Sequence, residues 1–385
     1  MKNVLIVGAG RLGKGFVGET FFNANWNIAF LDKDPEVIEK LQETGQYKVK
    51  VHKTDDVVEN IVSGYKAYLT DEDYSVMDSF LESELIMLPL YPKDFKEAAD
   101  YLSKCFNQQF KQNRESKKTL ICLTNKNHII DQITGYFREA LQDEETKAWF
   151  DKNVVVRDSI VRRSTDAESN TSTELITTAV ASLLIQQPVH CDFSDVKWLE
   201  LRDKIEMLKD IKVFTINGPH AATAFYGYLK AYKLIPEAEK DGDISELIKG
   251  VHDTTVAAVM KEYPVTRDEI RELEYLPAAK NEMPDSVFRV AFDPIRKLSP
   301  RDRFMGVVDL CKKHQLSYEP IAQAIACGFG YSEERDPKAV ILQKTIAEKG
   351  IEKSVSQYIG EPADSDVVKH VVAQYEKMKT GGLIK

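Results

Sequence analysis

Short apolar runs alternate with helical spacing through the first half of the chain. Asn3–Val7 is an aliphatic run rich in β-branched residues, and Gly10–Asn23 follows it with helical spacing. Trp26–Leu31 is a second apolar run that ends in Asp32, and Pro35–Gln42 is again helical. Leu85–Leu90 (LIMLPL), Thr119–Thr124 (TLICLT) and Asn153–Ser159 (NVVVRDS) are further candidates for buried strands. Strands spaced by helices predict βαβ units and a parallel sheet. Past about residue 190 the texture changes. Helical patterns cover Trp198–Leu208, His220–Tyr232, Ile244–Glu262, Pro300–His314, Pro320–Gly328, Pro337–Lys349 and Ser365–Lys379, without strong strand signals. The pattern predicts an α/β domain with a parallel-rich sheet over residues 1–193 and a mostly α-helical domain over 194–385.

Composition narrows the class. The chain has 385 residues, 43% of them hydrophobic, which suffices for two cores. Its net charge of −9 argues against general binding to nucleic acid or an anionic membrane, although a local basic pocket for a small anion remains compatible. The start, MKNVLIVGAG, ends its apolar run in glycines and does not read as a signal peptide. No run approaches the roughly 18–20 apolar residues of a membrane helix. Five scattered cysteines without a CxxC pair point to reduced thiols and a cytoplasmic location. The seven histidines show no ligand spacing, so no metal is expected.

Gly8-Ala9-Gly10-Arg11-Leu12-Gly13 fits GxGxxG, between a strand-like and a helix-like run. Asp32 follows Gly13 by 19 residues, at the end of the next strand signal. Gly8 permits the tight turn, Gly10 lets backbone approach a pyrophosphate, and Gly13 lets helix pack on strand. A helix N-terminus offers N–H groups and a positive dipole end to phosphates. The first domain is therefore expected to be of Rossmann type. Gly8, Gly10, Arg11, Leu12, Gly13 and Asp32 are its candidate cofactor residues. Asp32 would accept hydrogen bonds from ribose hydroxyls and repel a 2′-phosphate, which favours NAD over NADP. Lys33 works against that inference, since a cation there tolerates the phosphate. FAD shares the fingerprint, but nothing else in the chain points to a flavin.

Hydride transfer at an alcohol carbon needs a base for the hydroxyl proton and donors for the developing carbonyl oxygen. Lys212-Val213-Phe214-Thr215-Ile216-Asn217-Gly218-Pro219-His220 offers such groups within nine residues. On an ideal helix Lys212, Asn217 and His220 fall within an arc of roughly 140°. Pro219 disfavours helix at Gly218, so a helix that starts near Pro219, with Asn217 near its cap, is an equal expectation. From spacing alone a bland alternative stands: Asn217 as a helix cap, His220 as a core histidine, Lys212 as a solvated cation. Asn125, just past TLICLT, lies where α/β sheets place ligands, and also fits an ordinary turn. Residues 285–303 carry Arg289, Arg296, Lys297, Arg301 and Arg303. Ser299-Pro300 reads as an N-cap with proline at the first helical position, a setting that suits a phosphate. The interleaved Asp285, Asp293 and Asp302 fit a salt-bridged surface loop equally well.

Together these residues resemble the polyol-specific long-chain dehydrogenase family over nearly the whole chain. The start VLIVGAGRLGKGFVG is similar to that family's GAGxxGRGFxG opening, with Lys14 for arginine. Lys212, Asn217 and His220 match its Lys-x4-Asn-x2-His signature. RVAFDPIRKLSPRDR resembles the RxxRDPxRKLSxxDR segment of its phosphate-ester branch. The resemblance implies a metal-independent enzyme with NAD, in which Lys212 is the general base and burial lowers its pKa. It implies that Asn217 and Asn125 polarise the reacting oxygen and that His220 orients the substrate. Arg289, Arg296 and Lys297 would hold hydroxyls or phosphate. The implied reaction interconverts a sugar-alcohol phosphate and a ketose phosphate, with mannitol 1-phosphate and fructose 6-phosphate as the typical pair. The implied partner is a small molecule only, in a monomer or homodimer. Three departures bear on the substrate. Arg162 replaces the acid of a usual VDR, Thr124 precedes Asn125 where Glu or Asp is usual, and Pro219 precedes the histidine. They leave room for a reductase of free ketoses or hexuronates, and for a nucleotide-binding relic.

Overall fold

A computed structural model describes residues 2–53, 55–162, 165–178, 182–275 and 284–384. These divide into two compact units, one up to Lys209 and one from Asp210 onward.

The strands of the first unit are β1 (Asn3–Val7), β2 (Asn27–Asp32), β3 (Gln46–His52), β4 (Val57–Ser63), β5 (Lys66–Leu69) and β6 (Leu85–Leu88). They continue with β7 (Lys118–Cys122), β8 (Val154–Val161), β9 (Thr165–Asp166), β10 (Glu174–Thr178), β11 (Leu183–Gln186) and β12 (Leu199–Arg202). One eight-stranded sheet has the order β12-β11-β8-β7-β6-β1-β2-β5. Only the β11–β8 pairing in it is antiparallel. β1 is buried on both faces: Val4 and Ile6 join one apolar cluster, Leu5 and Val7 the other. That explains its unbroken aliphatic run, because helices cover both sides of such a sheet. β1 pairs with β2 on one side and β6 on the other, so the strand order reverses there. Crevices at such reversal points are where open α/β sheets bind ligands, beyond the strand C-termini. The expected Rossmann-type sheet is therefore present.

A second sheet, β4-β3-β10-β9, lies outside the expected pattern. In QYKVKVH the residues Tyr47, Val49 and Val51 are buried while their neighbours are more open, the period of two of a half-buried strand. Residues 198–208 also differ from the expected helix. They form β12, which pairs parallel with β11, and only then the helix Ile205–Lys212. Trp198, with φ of +76°, bars a helix from continuing through it. This added strand is why the division falls between Lys209 and Asp210 rather than at 193–194.

The second unit is built of helices, among them Gly218–Leu229, Gly242–Glu262, Met305–Lys313, Glu319–Phe329, Pro337–Lys349 and Asp366–Thr380. The expected start at Ser299-Pro300 is not what forms. Asp293 caps the short helix Pro294–Leu298 by accepting from Arg296 N–H, and Ser299 sits past its end. Arg301 is left-handed, with φ of +63°, so the next helix starts only at Met305.

Lys118, which opens β7, is fully buried. Its ammonium donates to the carbonyls of Phe80 (2.7 Å), Ser83 (2.7 Å) and Leu81 (3.4 Å), at the C-terminal end of helix Met77–Glu82. Burial nevertheless pushes its pKa down to about 7 from 10.5. The folded chain then holds fewer protons at Lys118 than the unfolded chain between these two values, and stability rises with pH across that window. Thermal melts are expected to show a higher Tm at pH 9 than at pH 7. Lys118→Met should flatten part of that rise, leaving the part due to Lys14 and Lys297, which burial lowers in the same way. An unchanged slope in Lys118→Met would show that the amine stays charged throughout.

Candidate functional site

In the first unit the chain leaves β1 at Gly8, whose φ of +114° only glycine adopts readily. Gly8 donates its N–H to Leu31 O at 2.8 Å, tying the turn to β2. A Cβ on Gly13 would stand 1.9 Å from Gly8 O, so no side chain is possible there without moving the turn. Arg11 and Leu12 begin the helix, residues Gly13–Gly18 form a π-helical turn, and Glu19–Asn23 completes it. Lys14 is buried and donates to Asn170 O (2.5 Å) and Ser172 O (3.0 Å), which fastens this helix to the segment before β10. Burial lowers its pKa to about 8, against the pull of Asp32. Asp32 sits at the end of β2 and accepts from the N–H of Ala9 (2.6 Å) and of Asp34 (3.0 Å). Each carboxylate oxygen has two acceptor sites, so both keep capacity for a ribose hydroxyl. Arg11 is exposed and pairs with Asp166 at 3.3 Å. A Cβ built on Gly10 would meet only Asn170, at 3.6 Å or more, which leaves room for a phosphate to approach the backbone. The turn therefore fits a dinucleotide.

Asn125 is exposed in the loop after β7. That loop is anchored within the same unit to Glu206 and Lys209. Asn127 donates to Glu206 O (2.8 Å), and Lys209 donates to Lys126 O (3.2 Å). Lys209 also forms an ion pair with Asp158 of β8 at 2.6 Å, with both side chains almost fully buried. Burial raises the Asp158 pKa, although Lys209 opposes the shift. Sequence reasoning assigned no role to either residue. Arg162 follows β8 and reaches Ser182 Oγ at 3.4 Å. Its neighbour Arg163 lies outside the described residues.

In the second unit the Lys-x4-Asn-x2-His residues lie on one unbroken helical path. Lys212 ends the α-helix Ile205–Lys212, Val213–Asn217 is a π turn, and Gly218–Leu229 is α again. The α segment does start beside Pro219 with Asn217 in its cap position, as one expectation had it, but Asn217 keeps helical backbone angles and the path does not break. Proline lacks the N–H that an α-helix needs, and its ring collides with the carbonyl four residues back. The chain widens into a π turn just before the proline, with Gly218 N–H bonding Val213 O five residues back. This geometry also gathers the motif. Residues five apart are about 140° apart on an α-helix, but a turn closed between i and i+5 brings them onto one side. Lys212 and Asn217 are such a pair, and Asn217 and His220 are an i,i+3 pair on the α segment that follows. Lys212, Asn217 and His220 are each half-buried. Asn217 stands at the helix cap position, yet its side chain makes no capping bond.

Residues 285–303 pack against this helix within the same unit. His220 Nε2 lies 3.1 Å from Asp285 Oδ2, and Arg289 pairs with the other carboxylate oxygen. Burial lowers the His220 pKa, and Arg289 and Arg303 lower it further against Glu239. A neutral imidazole beside a carboxylate donates from Nε2, which leaves Nδ1 as an acceptor. Arg303 donates to Asn217 O (3.3 Å) and to Asp302 (2.8 Å). Arg296 pairs with Asp293 (3.5 Å) and lies 3.9 Å from Asp302. Lys297 is buried and donates to Phe292 O. Burial, aided by Arg303 and Arg296, pushes its pKa down to about 7. The interleaved salt bridges of the surface-loop alternative are thus present, and they join Arg289 to His220 and Arg303 to Asn217. Asp285 and Arg303 carry these links. From sequence both were read only as members of the charged segment, Asp285 as a salt-bridging acid and Arg303 as one of its five cations. No group of three or more His, Cys, Asp or Glu suited to a metal ion occurs among the described residues. No helix there is long and apolar enough to cross a membrane.

Comparison with known proteins adds the following. The profile of the mannitol dehydrogenase Rossmann domain matches residues 2–183, and that of the mannitol dehydrogenase C-terminal domain matches residues 204–379. The mannitol-1-phosphate 5-dehydrogenase of Thermoanaerobacter pseudethanolicus is 27% identical, over 97% of each chain. That of Caldanaerobacter subterraneus subsp. tengcongensis is 26% identical, over 98% of this chain and 99% of the relative. Among solved structures, the Pseudomonas fluorescens mannitol 2-dehydrogenase in ternary complex with NAD and D-mannitol shares the fold. Its TM-score is 0.76 at 15% identity, covering 99% of this chain and 92% of that one.

The Lys209–Asp158 pair has an expected thermodynamic signature. Removing one partner of a buried pair leaves a charge uncompensated, at a cost of about 3–5 kcal/mol. Lys209→Met should lower unfolding stability in denaturant titrations by roughly that amount, and adding Asp158→Asn should restore a good part of it. Equal stability of wild type and Lys209→Met would mean that the pair contributes nothing.

Proposed function

The chain belongs to the mannitol dehydrogenase family, and on that premise we propose that it is an NAD-linked, metal-independent dehydrogenase that interconverts a sugar-alcohol phosphate and a ketose phosphate. The substrate pair proposed is mannitol 1-phosphate and fructose 6-phosphate, in keeping with the names of its relatives. The observation that supports the reading is the π turn over Val213–Asn217, because an i,i+5 closure narrows the angle that an α-helix would put between Lys212 and Asn217. NAD, held at Gly8–Gly13 and Asp32, supplies the hydride acceptor when bound.

The chain's own residues then have separate tasks. Lys212, as the neutral amine, takes the hydroxyl proton during oxidation and returns it during reduction. Asn217 directs its amide N–H at the oxygen, where negative charge develops, and Asn125 is proposed to do the same. His220 accepts a substrate hydroxyl at Nδ1 while Asp285 holds its other nitrogen. Arg289, Arg296 and Lys297 are proposed to recognise the phosphate end. Arginine suits that task because its planar fork matches phosphate oxygens, and half-exposed Arg296 keeps donors beyond those facing Asp293.

Purified protein should consume NADH with fructose 6-phosphate and much less with free fructose, fructuronate or tagaturonate. A preference for a free sugar or a hexuronate would move the chain to another branch of the family. Absence of turnover with every ketose tested would sink the proposal. Lys212→Ala should lower kcat by at least about 100-fold, the scale of general acid–base catalysis. Arg296→Gln should raise KM for the phosphate ester by roughly 10-fold, the value of one charge-assisted hydrogen bond, and leave kcat nearly unchanged.

A further inference from the structure

We propose that Asp94 and Glu97 set the cofactor preference of this chain by holding Lys33 away from the adenosine ribose. The inference rests on the reading of the glycine turn as an NAD site. Asp32 and Lys33 are adjacent and pull in opposite directions. The carboxylate would repel a 2′-phosphate, whereas a free ammonium next to it would attract one.

The structure decides between them through residues far along the chain. Lys33 Nζ lies 3.0 Å from Asp94 Oδ1 and 2.5 Å from Glu97 Oε2. Glu97 first, and then Asp94, hold the Lys33 pKa above its ordinary value, so the amine is charged and committed to two carboxylates. Asp94 ends the short 3-10 turn Pro92–Asp94 after β6, and Glu97 lies in the first turn of helix Phe95–Gln112. That position is fixed by the fold. β6 pairs with β1, and the Pro89 carbonyl stands 3.1 Å from where a Cβ on Gly8 would be. The segment between β6 and the helix therefore touches the nucleotide turn at one end and Lys33 at the other. Asp94 is the better-fixed partner, with 18% of its side chain exposed against 63% for Glu97. Asp32 itself is held by two backbone N–H groups and cannot swing aside. One cation and three carboxylates, Lys33 with Asp32, Asp94 and Glu97, sum to a net charge of −2 where a 2′-phosphate would lie. A phosphate entering there meets like charge, which weakens its binding.

The test is direct titration of NADH and NADPH, followed by nucleotide fluorescence, alongside kcat/KM for each nucleotide. Wild type is expected to bind NADH at least about 100-fold more tightly than NADPH. Asp94→Asn/Glu97→Gln frees Lys33 without changing shape. It should tighten NADPH binding by about 10-fold and leave NADH within about two-fold. Lys33→Ala added to that pair should remove most of the gain, whereas Lys33→Ala alone, which leaves three carboxylates without their cation, should disfavour NADPH further and never favour it. An unchanged NADPH Kd in the double variant, or a gain that survives Lys33→Ala, overturns the proposal. If wild type binds NADPH as tightly as NADH, the inference fails while the nucleotide site stands. If it binds neither, the reading of the turn itself has failed.

Discussion

A proline inside a helix is the constraint on which the second-unit site depends. Pro219 can neither donate to the carbonyl four residues back nor leave it in place. The chain does not break at this point. It widens over Val213–Asn217 and resumes as α from Gly218. The distortion costs regular hydrogen bonding, and Thr215 Oγ1 is left buried without a partner. In return, an Lys-x4-Asn spacing that an α-helix would splay becomes a one-sided pair. Arg303, which donates to the Asn217 carbonyl, supports this turn from outside, and a Cβ on Gly218 would come within 3.3 Å of its carbonyl oxygen. π turns recur at functional sites, and here one stands just before a proline in a candidate site.

The charged groups around this helix form a second level of organisation. Buried cations are costly unless matched, and each has an identified partner. Arg303 is matched by Asp302, and Lys297 by a backbone carbonyl. His220 shares Asp285 with Arg289. Burial acts on the two kinds of group in one direction, pushing Lys297 and His220 toward their neutral forms. The imidazole thereby keeps an acceptor nitrogen, and the arginines, which do not titrate in the working range, keep the positive charge.

What was legible in the sequence was local. The run into Gly8, the spacing to Gly13 and the placement of Asp32 all lie within a single βαβ step, so pattern alone located them. The Lys-Asn-His motif was also readable, but its geometry was not, because the sequence admitted both a continuous helix and a fresh start at Pro219. The remaining features depend on pairings across long separations. Asp158 and Lys209 are 51 residues apart, and His220 and Asp285 are 65 apart. The β3 segment carried a period-two signal, but its parallel partner β10 follows only after most of the first unit has been built. Ser299-Pro300 was misleading for a different reason. It has the chemistry of a helix start, but Asp293 had already capped a helix there, and left-handed Arg301 delays the next.

Both candidate motifs lie on helices that depart from α geometry, in different settings. Over Gly13–Gly18 the cause is proximity: Gly13 must pass within contact of Gly8 O, and Lys14 is drawn to carbonyls before β10. Over Val213–Asn217 the turn directly precedes Pro219, which has no N–H to continue an α ladder. In each case a residue that weakens a regular helix is tolerated within a candidate motif. Glycine at position 13 lets the first turn of the helix stay against β1, where its N–H groups can meet a pyrophosphate. Proline at position 219 keeps Asn217 in a turn where its side chain is not drawn into capping. Local propensity and tertiary packing therefore conflict at these two points, and packing prevails.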